Sequence, residues 1–514
     1  MSDSSKDHTS LTIFSSENFK EIALKFQELY FLSREGMPSL ICCPKSNQFI
    51  HWKDGKYEEA FESWIKSQIS YYLETVGIQK VGADDLKQEV RYIKNNKNNS
   101  SEVLSHLKSI CINSIGNNFI SGIKSQWLYD PDKTLPDASL IIPMQNCLLD
   151  INEFMKGKDD KLPPLQIAKN CMLRQTPRFY NNWVLPCKMN QNDYGREYPR
   201  KFLDFLKSIF NEEWEGYVHR GEEGECECIQ LVLEWIGYML TEDTSYQKIL
   251  CLVGEAGSGK GTIARCFYEI LHLTNCVTPH MKNFASRYGF QSWVGKKAAI
   301  FTDAQFPAQD RTTIETNILT VSGQDPVEID GKFLHAIQAV LPTKIVIISN
   351  EMPEFRNNAA AFKRRTLLIP FSKSISQENL IPNIEKTFLP EELPQIIWVC
   401  LDAYYKLKRR KSKDFIQPKE GMRSLARFND EQNTIRAFVE EKCKRGPEHF
   451  IEKESIYKHY VAWCKDKDYD VEEYLVFCKK MNRSFGKDIF SAERGSQGKI
   501  KVFSGVNVLN PFVD

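Results

Sequence analysis

The sequence predicts a multidomain α/β protein: a parallel-sheet core, a mainly helical N-terminal region before it and a winged-helix-like domain after it. Three observations carry that reading. At 514 residues, 42% hydrophobic and 26% charged, the chain is too long for one hydrophobic core and calls for several domains. Three short apolar runs, Lys248 to Val253, Ala298 to Thr302 and Ile345 to Ser349, each end at a glycine or a polar residue, as strands of a buried parallel sheet do. The first of these runs into a glycine-rich loop, and then into a stretch of helical periodicity, Ile263 to Leu271.

Taken in order, residues 1–142 form the mainly helical region. A short hairpin is expected first, since Phe49, Ile50 and Trp52 precede the turn signal Asp54-Gly55, after which Phe61, Trp64, Ile65, Ile69 and Tyr72 recur at helical spacing and are expected in the core. A second helical pattern follows through Val103, Leu104, Leu107 and Ile110. Residues 143–228 read as a connecting or collar subdomain, with proline-spaced extended pieces and then a helix through Phe202, Leu203, Phe205 and Leu206. The core spans 229–405. The basic run from Lys406 to Lys413, ended by Pro418, reads as a linker over 406–430. In 431–514, three helical patterns precede two extended runs on either side of Gly495 and Gly498, the order of a winged helix.

Composition excludes some function classes. The first ten residues are polar and acidic, unlike a signal peptide, and no apolar run approaches the ~20 residues of a membrane helix, so a cytoplasmic, non-membrane protein is expected. The 15 cysteines then read as reduced thiols, and neither Cys42/Cys43 nor Cys226/Cys228 has zinc-site spacing. With a net charge of +1, any nucleic-acid binding must come from a local patch or channel.

The chemistry concentrates in Gly254-Glu255-Ala256-Gly257-Ser258-Gly259-Lys260-Gly261-Thr262. Glycines let backbone N–H groups converge on phosphate oxygens, a lysine reaches the outer phosphates, and the following helix points its positive end at the anion. The residue after Lys260 is glycine where a magnesium-binding hydroxyl is usual. Thr262 is then either a Mg2+ ligand itself or a phosphate contact that leaves the ion to ATP, water and Asp303. Asp303 follows an apolar run, where a carboxylate could hold that ion. Asn350, at the end of the next run, could orient the attacking water or sense the terminal phosphate. Ala304 supplies no second acid, which leaves Glu351 as one candidate for activating water. Arg364 and Arg365 precede a further apolar run, Thr366 to Phe371, from where an arginine could reach the ATP of an adjacent subunit.

The order of motifs from Gln145 to Leu407 resembles the C-terminal helicase of phage and plasmid primases, a branch of superfamily 3. The phrases that carry it are Cys147-Leu-Leu-Asp-Ile151, Thr176-Pro-Arg-Phe-Tyr180, Glu234-Trp-Ile-Gly-Tyr238, Leu240-Thr-Glu-Asp-Thr244, Gly257-Ser-Gly-Lys-Gly-Thr262, Ser322-Gly-Gln-Asp325 and Ser349-Asn-Glu-Met-Pro353. The resemblance implies an AAA+-like P-loop ATPase core using ATP and Mg2+, with Lys260 as the loop lysine, Asp303 as the magnesium-site acid and Asn350 as the polar sensor. It implies Arg365 as the trans-acting finger, with Arg364 as the alternative. It also implies a channel hairpin within Val327 to Pro342, where Lys332 and Phe333 would meet DNA, and a homo-hexameric ring moving on single-stranded and forked DNA in the host cytoplasm. The region before Pro143 lacks a carboxylate cluster for two-metal polymerisation, so a separate primase is expected. In the tail, Lys479, Lys480, Arg483, Arg494, Lys499 and Lys501 would face DNA phosphates, or the domain would contact a protein instead. Two rival readings are a nucleotide kinase, which the same loop suits, and a replication initiator or loader that hydrolyses ATP weakly.

Overall fold

The computed structural model describes residues 12–14, 18–32, 39–42, 49–74, 76–81, 88–92, 97–113, 126–127, 135–195, 198–210, 227–302, 304, 306–307, 309–330, 336–353, 355, 359–371, 381–432, 434–467, 469, 471–485, 492–495 and 498–509. Its centre is a five-stranded sheet of β1 (Ile249–Gly254), β2 (Cys276–Val277), β3 (Ala298–Phe301), β4 (Lys344–Ser349) and β5 (Thr366–Phe371), in the order β2-β3-β4-β1-β5. All four pairings are parallel. The strands are continuous apolar runs because both faces are covered. Leu250, Leu252, Ile300, Val346, Ile348, Leu367 and Ile369 face one core, and Ile249, Cys251, Phe301, Ile345, Ile347 and Leu368 face the other. Each such buried side chain contributes about 1.5–3 kcal/mol.

Helices α1 (Glu227–Met239), α2 (Lys260–Leu271) and α5 (Glu385–Arg409) cover the first face, and α3 (Arg311–Ser322) covers the second. Helix α4 (Ala359–Arg365) touches α3 and leads straight into β5. The collar shares the first core. Phe154 stacks on Trp398 at 5.9 Å between ring centroids, and the Tyr194 hydroxyl donates to Asp402 at 3.0 Å.

The phrases between residues 234 and 244 owe their composition to packing. A Cβ at Gly237 would lie 2.3 Å from the Cys400 carbonyl oxygen, so only glycine lets α1 approach α5 this closely. Glu234 is fully buried, and both of its oxygens receive the Arg410 guanidinium, at 3.1 and 2.5 Å. Thr241 accepts from the Lys344 ammonium through its carbonyl, and Glu242 pairs with buried Lys297 at 2.5 Å. These two lysines stand at the amino ends of β4 and β3, so the turn after α1 pins the start of both strands.

Asp243 completes the turn, accepting from the Tyr404 hydroxyl at 2.7 Å and the Lys408 ammonium at 2.5 Å. Burial raises its pKa, but Lys408, Ser245 and Tyr404 together outweigh that and hold it at about 2. A folded pKa below the unfolded one stabilises the fold above the unfolded value, and the contribution is lost as pH falls through the folded value. Asp243→Asn is therefore expected to cost about 2 kcal/mol at neutral pH, with the gap to wild type closing between pH 4 and pH 2. Urea denaturation across that window checks it; a gap independent of pH would contradict it.

Outside the core the structure departs from the sequence reading in several places. The N-terminal region is helical only in part. Phe19–Phe31, Glu62–Leu73 and Lys97–Asn113 are helices, but Leu40–Cys42, Phe49–Lys53 and Lys56–Ala60 form one sheet, and Thr12–Phe14, Val76–Val81 and Gln88–Tyr92 another. The hairpin of Phe49–Lys53 and Lys56–Ala60 lies where Phe49, Ile50, Trp52 and the Asp54-Gly55 turn signal predict it, whereas the other strands are too short or too mixed in polarity to leave an apolar alternation to read. Ile65, Ile69 and Tyr72 are buried as expected, whereas Phe61 is 67% and Trp64 42% exposed.

The basic run expected as a linker is tied to the core. Lys408 pairs with Asp243, Arg409 with Asp159 and Arg410 with Glu234, and Phe415 packs on Trp235 and Tyr238. It then enters α6 (Lys419–Gln432), where a Cβ at Gly421 would lie 2.2 Å from the Leu368 carbonyl oxygen, so α6 lies directly on β5. The tail folds as helices Thr434–Lys442, Lys453–Asp466 and Tyr474–Phe485 with a three-stranded antiparallel sheet. No described helix is long and apolar enough to cross a membrane.

Candidate functional site

The glycine loop joins the carboxyl end of β1 to the amino end of α2, the edge of an open parallel sheet where ligands bind. Three glycines are required by geometry. A Cβ at Gly254 would lie 2.2 Å from the Phe371 carbonyl oxygen, and Gly257 and Gly259 have φ of +77° and +97°, a region disfavoured for residues with a side chain. Glu255, Ala256 and Gly257 are exposed, while Ser258 and Lys260 turn inward. The Lys260 ammonium donates to the carbonyls of Gly254 and Glu255 at 2.5 and 2.6 Å and approaches Ser258 Oγ at 3.4 Å, so the cation sits inside the loop's curve.

Thr262 lies in the first turn of α2, its N–H bonded to the Gly259 carbonyl at 3.0 Å. Its hydroxyl oxygen accepts from Arg265 Nη2 at 2.9 Å, and the same guanidinium donates from Nε to Glu385 at 2.9 Å. Sequence reading missed Arg265. The available signal was its position one helical turn beyond Gly261 and Thr262, which puts all three on one face.

Asn350 is exposed one residue past the end of β4, where Ser349 pairs with Val253 of β1, so it flanks the glycine loop across one strand spacing, about 5 Å. Glu351 beside it is also exposed. Asp303 lies outside the described residues; its neighbour Ala304 donates its N–H to the Ile348 carbonyl of β4 at 3.2 Å. Gly261 is exposed on the first turn of α2.

Arg364 and Arg365 occupy the opposite edge. The pairing of Ile249 with Thr366 and of Gly254 with Phe371 places them at the amino end of β5, a six-residue strand or about 20 Å from the loop of their own chain. That is beyond the reach of an arginine side chain. The two differ sharply in surroundings. Arg365 is half-buried and its Nη1 donates to the Leu319 carbonyl and to Ser322 Oγ at the end of α3, and burial and the Arg364 charge lower its pKa. Arg364 is exposed. Both line a cavity of about 440 Å³ shared with Lys248, Lys408, Lys413 and Asp414, a recess with five cationic walls to one acidic.

Val327–Ile329 and Ile337–Ala339 pair antiparallel, Val327 opposite Ala339 and Ile329 opposite Ile337, and form the hairpin expected there. Lys332 and Phe333, which fall between the two strands in sequence, lie outside the described residues. In the tail, Lys480 is engaged by Glu472, and the side chains of Lys479, Arg483, Arg494, Lys499 and Lys501 are outside those described.

The architecture is that of a mixed α/β protein built on a five-stranded parallel sheet, with a glycine loop at its carboxyl edge. Residues 252–365, from within β1 to the end of α4, match a family of unknown function (DUF5906). Among solved structures, the chain is similar to the A form apo structure of the NrS-1 C terminal region, with a TM-score of 0.47 and 10% sequence identity over 95% of this chain and 98% of that one. It is also similar to the apo structure of NrS-1 C terminal region residues 305–718, at a TM-score of 0.39 and 12% identity over 64% and 80% of the two chains. The A form of that same region gives 0.37 at the same identity and coverage. Function is therefore read from the site's own residues.

Proposed function

We propose that this chain is an ATP-hydrolysing DNA helicase of the superfamily 3 type, a homo-hexameric ring that moves on single-stranded DNA during replication of a phage, plasmid or mobile element. The observation that carries this is the split of charged groups between the two edges of one sheet. The phosphate loop and Asn350 share the carboxyl edge, and the arginine pair stands at the other, a strand's length away. An arginine so placed serves a nucleotide only if that nucleotide belongs to a neighbouring copy, and a head-to-tail contact repeated with closure makes a ring.

In this mechanism the loop N–H groups and the amino end of α2 hold the phosphates of ATP, and Lys260 swings its charge from the loop carbonyls to the outer phosphates. Asn350 orients water against the terminal phosphorus, Glu351 takes its proton, and the bond from that phosphorus to the ADP oxygen breaks. Asp303, an oxygen donor suited to a hard ion, would hold Mg2+ bound with ATP, and that ion would neutralise charge on the outer phosphates. Arg364 of one subunit, standing in its basic recess, meets the charge that develops on the neighbour's terminal phosphate. Arg365 holds α4 against α3 and sets where Arg364 stands. The hairpin presents Lys332 to the DNA backbone and Phe333 to a base, contacts that tolerate any sequence. The primase is a separate polypeptide, and the tail contributes further DNA or protein contacts.

ATP turnover with and without single-stranded DNA tests this reading. Wild-type turnover is expected to rise with DNA, and the double variant Lys332→Ala, Phe333→Ala is expected to bind single-stranded DNA about tenfold or more weakly and to lose the stimulation. ATP binding without turnover in either condition would favour an initiator or loader, and phosphorylation of a small acceptor would favour a kinase.

A further inference from the structure

The residue at position 261 changes what the loop's hydroxyl can do. A phosphate loop normally carries a hydroxyl directly after its lysine, and that oxygen binds the metal ion. Here the position is Gly261, and the nearest hydroxyl is that of Thr262. Side chains on a helix lean toward its amino end, so Arg265 reaches back over the first turn of α2. Its Nη1 lies 3.6 Å from where a Cβ of residue 261 would be, and its Nη2 donates to Thr262 Oγ1 at 2.9 Å. The guanidinium is fixed from the other side by Glu385, which is 1% exposed and spends one oxygen on Arg265 Nε at 2.9 Å. The other oxygen of Glu385 is buried without a hydrogen-bond partner among the described residues, so the carboxylate has no competing claim on its orientation.

A hydroxyl has one proton to give and two lone pairs to accept with. Arg265 occupies one lone pair of Thr262 and stands a full positive charge beside the oxygen. A second cation on the same oxygen is disfavoured by that charge, while the proton stays available for an anion. We propose that Arg265 commits Thr262 to the nucleotide's phosphates and not to the metal: the hydroxyl donates to a phosphate oxygen at the amino end of α2, and Arg265 is the positioning residue that makes it do so. This rests on the nucleotide-binding reading above, and deepens it.

The test is a titration of a fluorescent, non-hydrolysable ATP analogue into the full chain, once with Mg2+ and once with EDTA, for wild type, Lys260→Ala, Thr262→Val, Arg265→Ala and Arg265→Lys. Thr262→Val is expected to lose affinity by about tenfold equally in both buffers, since the lost bond is to phosphate. Arg265→Ala is expected to bind more weakly in EDTA but to recover part of the loss in Mg2+, where the freed hydroxyl can turn to the ion. Arg265→Lys, which keeps a charge and a donor, is expected to stay near wild type. A merely structural Arg265 would lower the unfolding temperature of both its variants without any dependence on Mg2+. A Thr262→Val loss confined to the Mg2+ buffer, or an Arg265→Ala loss equal in both, overturns the proposal. If Lys260→Ala binds as well as wild type, the nucleotide reading itself fails and takes this one with it; if Lys260→Ala abolishes binding, only the assignment of Thr262 is at stake.

Discussion

Lys260→Ala is expected to lower ATP turnover by about a hundredfold to a thousandfold, the cost of removing one charged group aimed at developing phosphate charge in a site shielded from water. The lysine is buried, and its ammonium is held inside the loop by the carbonyls of Gly254 and Glu255. Carbonyl partners are weak rivals for a phosphate dianion, because hydrogen bonds between ions are roughly twice as strong as neutral ones. No other described side chain of the loop carries a positive charge, and the Arg265 guanidinium, which reaches back over the first turn of α2, is tied to Thr262 and Glu385. The fold is expected to survive, since the first core lies beneath α2 and not at the loop. Phosphate release under saturating ATP, with thermal unfolding as a control, checks this. A folded variant that keeps a tenth or more of wild-type turnover would mean that Lys260 does not serve the outer phosphates.

Glu234→Ala is expected to be the most damaging substitution for stability, costing about 3–5 kcal/mol, as removal of one partner from a buried ion pair does. Glu234 accepts two bonds from Arg410, one from the Ile416 N–H at 3.1 Å and one from Gln230 at 2.9 Å, and it is fully buried. Its loss takes the carboxylate from the Arg410 guanidinium, which keeps its bond to the Asp414 carbonyl at 2.9 Å, and frees a backbone N–H as well. Because α1 packs on α5 and its following turn anchors Lys297 and Lys344, the damage reaches the amino ends of β3 and β4. Urea denaturation at neutral pH reads the effect as a shifted midpoint. A loss below about 1 kcal/mol would show that the pair contributes no more than an exposed one.

The parts of this fold that sequence reading caught are those where one physical constraint acts alone. Strands β1, β3, β4 and β5 read as apolar runs because both faces are buried. The two-residue β2 was too short to show a pattern. The glycine loop was legible because positive φ at Gly257 and Gly259 and close approach at Gly254 admit almost nothing else. The cationic run from Lys408 to Arg410 misled, since its partners Asp243, Asp159 and Glu234 lie 165, 250 and 176 residues away along the chain. A charge run looks the same whether solvated or paired. The arginine pair was recognisable as a pair, but not which member is exposed, because that depends on α3 ending where its Leu319 carbonyl and Ser322 hydroxyl capture Arg365. Arg265 was missed for a related reason: its spacing from Gly261 and Thr262 was there to read, but its role depends on Glu385, which lies 120 residues away along the chain.

Sharing of each proposed site between two copies of the chain is tested by ATP turnover, with single-stranded DNA, of an equimolar mixture of the Lys260→Ala and Arg364→Ala chains. Each variant alone is expected to be inactive. In a randomly mixed ring, roughly a quarter of the sites join an intact loop to an intact arginine, so turnover is expected to recover to about that fraction of wild type. A mixture as inactive as its components, or an Arg364→Ala chain that turns over ATP like wild type, would contradict the account.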